Sequence, residues 1–469
     1  MILGASHSRV DRRLPGLGLL LWVLLLYGRH LGDSLLSDDF LYAFWLADGG
    51  PAHLLTKVTT DSFPRMIRPL PMLGFLLGAL FGPAAQHALS LALHAACAGL
   101  VGRLAERRRP GTGGAVALLF ATFPLFVEPV VWLSAAFDLW AATFALAALW
   151  LGRTARSPVP AVLCFALSLA CKESTLLLPV VVFLLDRGRR RCRPTVAALG
   201  ATATAYLALR WHLFSGPGGY LDGSGRSLAW DLDPWLFLRN AFLQVPFRVL
   251  TPFKELDGGL AAAIGLVSLA VLGHLLWQTR PPRRSGPAWC LDAARVGAVF
   301  LVALAPTAPV FGVASDHQGS RMLYFPVAVL AIAAVDLLNP RRGFRHAVAA
   351  TAAWWLLALL WNGASYRDAS RHVEGTLAGL AAVQDRLDRA DVVWVDGADT
   401  VRGAFAFRNG LFAAARLRGL RGDVDWRLGP GPSTAPGRRH AYRAVPDRGG
   451  LIWRPQLPPA PASAPKSKR

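Results

Sequence analysis

The sequence predicts an all-α polytopic membrane protein, a single bundle of about eleven transmembrane helices. Three observations carry this. Of the 469 residues, 54% are hydrophobic and only 17% charged, against roughly 25% charged in a soluble domain; the mean hydropathy is +0.38. The apolar residues come in blocks of roughly 15–20, the length that crosses a ~30 Å hydrocarbon core. The arginines gather in short clusters between blocks, the pattern of loops held on the cytoplasmic side. Lys and Arg outnumber Asp and Glu by 50 to 29, a net charge of +21. Because the excess lies in short inter-block loops, it is read as topology and contact with anionic lipid, not as a nucleic-acid surface.

The first block, "LGLLLWVLLLY" (17–27), is followed by polar "YGRHLGDSLLSDD" with no small-residue cleavage site. It reads as an uncleaved first span, with Arg12 and Arg13 inside. Segment 69–82, "PLPMLGFLLGALFG", is apolar but short and opens with two prolines. Counting it as a span would turn every later arginine cluster outward, so it reads as a juxtamembrane or re-entrant outer helix. The next span is 84–104. Basic clusters at 103–109, 153–156, 187–193, 280–284 and 341–345 are placed inside, with an even number of crossings between each pair. Those crossings fall at 115–132, 136–152, 158–171, 174–186, 196–213, 259–277, 295–313 and 322–338. A last span at 346–362 puts the C-terminus outside. The five cysteines, Cys97, Cys164, Cys171, Cys192 and Cys290, fall in spans or inner loops and show no metal-type spacing.

The chain divides accordingly. Residues 1–30 form the N-terminus and first span, and 31–83 the first extracytoplasmic loop. The bundle continues through 84–213, an outer loop covers 214–258, and the bundle resumes at 259–362. Residues 363–455 read as a small extracytoplasmic α/β unit, because "ADVVWVDGADTVRGAFAFRNGLFAAARL" has the pattern strand, loop, helix. The Pro/Ala/Ser/Lys-rich end, 456–469, reads as disordered.

On this topology the ionisable residues concentrate at the outer membrane face. They are Asp38, Asp39, Arg65 and Arg68 in the first loop; Glu128 and Asp138 around the second turn; Lys172 and Glu173 in "ACKESTLLLP"; and Asp316, His317, Arg321 and Tyr324 in "SDHQGSRMLYFP". Charges at such depth are costly and are paired or functional. Arginines bind an anionic lipid phosphate in bidentate fashion. A nearby carboxylate takes the proton of an acceptor hydroxyl or amine, and cations stabilise the departing phosphate. Direct displacement at the anomeric carbon inverts it. One carboxylate suffices, since phosphate leaves with little acid assistance, unlike the alkoxide of glycoside hydrolysis. Structural alternatives stand beside these roles. Asp38 and Asp39 also fit a polar flank to the first span. Glu128 also fits an ion-pair partner of Lys172 or of an arginine, and Lys172 and Glu173 also fit mutual neutralisation. His94, mid-span in "LALHAACAG", also fits a hydrogen-bonded packing element, and Asp391, Asp396 and Asp399 fit the surface.

Six ordered segments resemble the GT-C membrane glycosyltransferases, closest to the protein O-mannosyltransferase branch and its bacterial relatives, the lipid A aminoarabinose transferases among them. "SDDF" (37–40) is similar to the acidic motif of the first outer loop, and "RPLPMLGFLLGALFG" (68–82) to the juxtamembrane segment. "HALSLALHAACAGLVGRLAERR" (87–108) resembles the next span. "LLFATFPLFVEPVVWLSAAFDLWAATFAL" (118–146) resembles the stretch with a Glu and a second Asp, and "CKESTLLLP" (171–179) and "RMLYFP" (321–326) two later signatures. The resemblance covers about residues 15–340. It implies a GT-C bundle and an inverting glycosyltransferase that uses a polyprenyl-phosphate sugar and a protein, lipid or glycan acceptor. It implies Asp38 or Asp39 as general base, Asp138 as second acidic position and Glu128 as supporting carboxylate. Arg68, Lys172 and Arg321, with Arg65 and Tyr324, are implied to meet the donor phosphate; Glu173, His94 and His317 are further candidates. Some family members need a divalent metal. Here the two loop acids are adjacent, with no Asp-x-Asp, so no metal or other cofactor is expected. Two departures stand out: Gly319 and Ser320 replace the acid that relatives often carry before the arginine, and no tetratricopeptide repeats follow.

Two other classes are weighed. An envelope polysaccharide polymerase, ligase or flippase-like protein would share the outer cations without needing the acid pair. A secondary transporter would show mid-membrane charges and two related halves. The Ala-, Arg- and Leu-rich composition suggests a GC-rich bacterial genome, so the expected location is a bacterial inner membrane, and the basic clusters place the N-terminus in the cytoplasm and the C-terminus outside.

Overall fold

The computed structural model describes residues 16–59, 65–186, 192–221, 226–228, 233–279, 287–338, 343–382, 392–395, 399–420, 425–428, 441–447 and 450–456. Arg12 and Arg13, most of the basic clusters at 187–193, 280–284 and 341–345, Asp391, Asp396 and the expected disordered end lie outside these residues.

The chain is mostly helical with little sheet. Among the described residues five helices are long and apolar enough to cross a membrane: Pro83–Arg108, Gly258–Gln278, Trp289–Val310, Ser320–Leu337 and Phe344–Ala381. A sixth is formed if the pair Gly113–Ala121 and Pro124–Val131, bent by 49°, is one span. The protein is therefore an integral membrane protein. Apolar side chains such as Leu21 and Leu25, or Leu266, Leu269 and Leu276, face outward, which only a lipid environment makes favourable over such lengths.

In order, the helices that frame the bundle's first half are α1 (Gly16–Tyr27), α2 (Asp39–Thr59), α3 (Met72–Phe81), α4 (Pro83–Arg108), α5 (Gly113–Ala121) and α6 (Val127–Val131). α3 has 10 residues, about 15 Å of helix, well short of a bilayer core. Gly82, at φ +85°, separates it from α4, a conformation glycine adopts without steric cost. α7 (Ala136–Thr154) carries Asp138 in its first turn and Arg153 in its last, both favourable to the helix dipole. α8 (Val159–Cys171) and α9 (Leu178–Leu185) are 13 and 8 residues long, about 20 and 12 Å. α10 (Arg193–Phe214), α11 (Pro234–Arg239), α12 (Val245–Leu250), α13 (Gly258–Gln278), α14 (Pro287–Leu304), α15 (Tyr324–Ala334) and α16 (Phe344–Ala381) follow. The Asp257 carboxylate accepts from Leu260 N–H at 2.8 Å and caps α13.

Two differences from the sequence reading have plain causes. The expected span 115–132 breaks at "FPLF", where Pro124 has no amide proton to continue the α5 ladder. The expected domain boundary at 363 falls inside α16, a helix of 38 residues that continues to Ala381. Tyr366, Val373, Leu377 and Leu380 on that extension are buried, so its continuation is stabilised by packing.

One end of the bundle is tied by ion pairs between helix ends. Asp336 accepts from Arg108 and, at 2.8 Å, from Arg295, and Arg153 pairs with Asp186. The candidate site residues lie at the opposite end, where α7 begins and α8 stops. After α16, β1 (Val392–Val395) lies between β4 (Asp425–Leu428) and β5 (Ala441–Asp447), parallel to both, and β5 pairs antiparallel with β6 (Gly450–Gln456). The short pair β2 (Thr400–Val401) and β3 (Ala404–Phe405) precedes α17 (Leu411–Leu417).

Candidate functional site

A cavity of about 680 Å³ opens at that end, lined by Asp38, Tyr42, Arg68, Lys172, Tyr220 and Arg321 among others. It draws side chains from the first loop, from the α8–α9 turn, from the 214–258 loop and from the turn before α15. Residues 408 and 409, beyond β3, complete its wall.

The two adjacent acids part company. Asp38 lines the cavity, and its Oδ1 accepts from Asn409 Nδ2 at 2.7 Å. Asp39 is 1% exposed and points into the protein. Its Oδ2 accepts from Leu36 N–H at 3.0 Å, and its Oδ1 from Ser134 N–H at 2.7 Å and from the Ser134 hydroxyl. The turn is further held by Trp132, whose indole N–H donates to Leu36 carbonyl at 3.2 Å. Of the two candidate bases, only Asp38 meets the cavity.

Each inner cation is tied to a carboxylate from another element. Arg68 Nη2 donates to Glu173 Oε1 at 2.9 Å, and Arg210 lies 3.7 Å from Oε2. Lys172 pairs with Asp138. Arg321 pairs with Glu128 and lies 5.2 Å over the Trp132 ring. The alternatives of a Lys172–Glu173 pair and a Glu128–Lys172 pair are replaced by these longer-range ones. Glu128 also accepts from Gly319 N–H at 3.3 Å, Ser320 Oγ at 3.1 Å and Arg321 N–H at 2.9 Å. Ser320 supplies a donor to Glu128, and Gly319, at φ +85°, leaves no room for a Cβ beside the Gly312 carbonyl.

A carboxylate uses only part of a guanidinium's five donors. Among the described residues Arg68 Nε is buried with no hydrogen-bond partner, beside the cavity that its residue lines.

Burial pushes the Asp39 carboxyl up from 3.8 to about 7, against the pull of its Ser134 and Leu36 donors. Burial also acts to raise Glu173, but the Arg68 and Arg210 guanidiniums outweigh it and bring it down from 4.5 to about 2. The two make pH windows of opposite sign. Folded Asp39 holds its proton more tightly than the unfolded chain does, so its contribution to stability declines as pH rises from 3.8 to about 7. The Glu173 stabilisation is full above 4.5 and is lost as pH falls to about 2. Thermal midpoints of the detergent-solubilised protein are expected to show both slopes. Asp39→Asn should flatten the upper window and Glu173→Gln the lower; slopes untouched by either substitution would contradict this account.

Several other predicted residues lie off the cavity. Arg65 Nη1 donates to Phe214 carbonyl at 3.2 Å, and its own carbonyl accepts from Gly219 N–H at 2.7 Å, so it ties the first loop to the second. Tyr324 is fully buried. Its hydroxyl bonds His94 Nδ1 at 2.6 Å, while His94 Nε2 lies 3.1 Å from Ala121 carbonyl. A carbonyl only accepts, so Nε2 carries the proton and Nδ1 accepts from Tyr324. Both side chains therefore serve the packed core, beside Phe126. His317 is buried at φ 65°, its Nδ1 3.4 Å from Asn362 Nδ2. Asp138, Glu128 and Glu173 reach the cavity only through the cations they hold. Asp399 is exposed.

Tyr42, Trp132, Ser134, Tyr220, Arg408 and Asn409 were not singled out from sequence. Only Asn409 carried a signal, the Asn-Gly turn dipeptide in "FRNGL". Comparison of the chain with protein-family models, with functionally described proteins and with solved structures gives no match.

Proposed function

We propose that this protein is an inverting glycosyltransferase of the GT-C type, moving a sugar from a polyprenyl-phosphate donor to an acceptor at the extracytoplasmic face. One observation carries the reading: Asp38 and the three cations Arg68, Lys172 and Arg321 line a single cavity. A phosphate between the cations has its departing charge stabilised. An acceptor hydroxyl or amine beside Asp38 loses its proton to the carboxylate as it attacks the anomeric carbon. The sugar–phosphate bond breaks, the new glycosidic bond forms on the opposite face, and the phosphate stays with the lipid. The reading invokes no metal, on the ground that the loop acids are adjacent.

The topology that goes with this reading has eleven crossings, N-terminus inside a bacterial inner membrane and C-terminus outside. α8 and the helical run Glu173–Leu185, which extends α9 by the turn before it, count as crossings in this reading, with the bilayer thinned around them. The α/β unit after α16 is then extracytoplasmic. The acceptor is a protein, a lipid or a glycan. A polymerase or ligase would share the cations but would not need Asp38.

The test is to identify the glycan or glycolipid that disappears from cells lacking the protein. Its return with the wild-type chain but not with Asp38→Asn supports the reading; its return with both defeats it. Arg68→Ala is expected to raise the apparent KM for the lipid-linked sugar about tenfold, the effect of losing roughly 1.4 kcal/mol of charge-assisted hydrogen bonding. An unchanged KM would place the phosphate elsewhere.

A further inference from the structure

The chain after α16 returns to the turn that presents Asp38. Ala406 carbonyl accepts from Ser37 N–H at 2.7 Å. Gly410 lies so close to the Ser37 carbonyl that a Cβ there would collide with it. Phe40 stacks on Phe407 at 6.0 Å, and Phe44 meets Phe412 edge-on at 5.7 Å. Between these contacts Ser37 is held at φ 48°, a left-handed conformation that costs a non-glycine residue about 1–2 kcal/mol. Such strain persists only where surrounding contacts over-determine it. Asp38 is the next residue, and its Oδ1 accepts from Asn409 Nδ2 at 2.7 Å. Among the described residues no donor reaches its other oxygen.

We infer that Asn409 is a positioning residue for Asp38, and that residues 404–412 are therefore part of the active site and not of an independent appendage. The inference rests on the reading of Asp38 as general base. The amide fixes the rotation of the carboxylate and occupies one oxygen, leaving the other for the acceptor's proton. Its neutrality matters. A cation at this place would orient the carboxylate equally well, but it would favour the charged form and so weaken the base. The neighbouring cation, Arg408, also lines the cavity, with its guanidinium 4.8 Å over the Phe405 ring, while the amide of Asn409 is the group that meets Asp38. The proton passes from acceptor to Asp38 as the acceptor oxygen or nitrogen bonds the anomeric carbon and the phosphate leaves with its electron pair.

The experiment compares Asn409→Asp, Asn409→Ser and Asn409→Ala in the full-length protein. Transfer is measured with the polyprenyl-phosphate sugar identified from deletion cells, and binding with undecaprenyl monophosphate as probe. Asn409→Asp keeps the side-chain shape but replaces the donor by a second carboxylate. It is expected to lower kcat about 100-fold, the scale of a misplaced catalytic group, with the donor KM, the probe affinity and the thermal midpoint unchanged. Asn409→Ser, which keeps a donor, should retain more activity than Asn409→Ala. Wild-type kcat in Asn409→Asp would overturn the inference, as would a loss of kcat matched by losses of probe affinity and thermal midpoint. Asp38→Asn assayed in parallel separates the two levels. If it is inactive while Asn409→Asp is normal, only the positioning role fails; if it transfers normally, the base assignment fails and this inference with it.

Discussion

Asp38→Asn is expected to lower the rate of sugar transfer by about 10²–10⁴-fold, the range typical of a general base, while the protein accumulates and melts as the wild type does. The amide oxygen introduced can still accept from Asn409 Nδ2, so the contact at 2.7 Å survives. What is lost is the ability to take a proton. The neighbouring substitution should behave in the opposite way. Asp39→Asn places an N–H₂ group where either the Leu36 N–H or the Ser134 donors need an acceptor. A buried donor left without a partner costs about 1–3 kcal/mol, so this variant should lose thermal stability first and activity only as a consequence. The measurement is initial transfer rate and thermal midpoint on the same preparations. Wild-type transfer by Asp38→Asn, or an inactive Asp39→Asn with an unchanged midpoint, would reverse the assignment of the two acids.

The second large effect is expected at Glu128. Its carboxylate is 1% exposed and accepts from the Gly319 and Arg321 amides, the Ser320 hydroxyl and the Arg321 guanidinium. Glu128→Ala removes that acceptor, strands the Gly319 and Arg321 amides and the Ser320 hydroxyl, and leaves the half-buried Arg321 guanidinium uncompensated; the loss approaches the about 3–5 kcal/mol of a broken buried pair. The protein is expected to fail to accumulate in membranes. Removing the cation too, as Glu128→Gln with Arg321→Met, should recover much of the yield, because the uncompensated charge goes with it. It should not recover transfer, because Arg321 lines the cavity. A single Glu128→Ala variant of wild-type yield and midpoint would show that the 319–321 turn is held by something else.

Both predictions depend on contacts between segments far apart in the chain, and this sets what was legible beforehand. The membrane character followed from composition and from apolar blocks, because burial in lipid demands a run of apolar residues that no soluble surface tolerates. The grouping of the acids and cations at one end of the bundle followed from the spacing of those blocks. Helix lengths were less legible. The break at Pro124 was readable from proline chemistry, yet the continuation of α16 past residue 363 depends on Tyr366, Val373 and Leu377 finding a packing surface.

Sequence alone grouped Asp38, Arg68, Lys172 and Arg321 together, and the four line one cavity. The folded chain decided which partner each one has. Nothing in "SDDF" distinguishes its two acids; Ser37 at φ 48° and donors from Ser134, about a hundred residues away, turn Asp39 inward and leave Asp38 facing the cavity. Nor does local sequence show that Asn409 meets Asp38, since the two are 371 residues apart and join only when the chain beyond α16 folds back. Hydropathy is a property of neighbours along the chain, whereas hydrogen bonds and ion pairs are properties of neighbours in space.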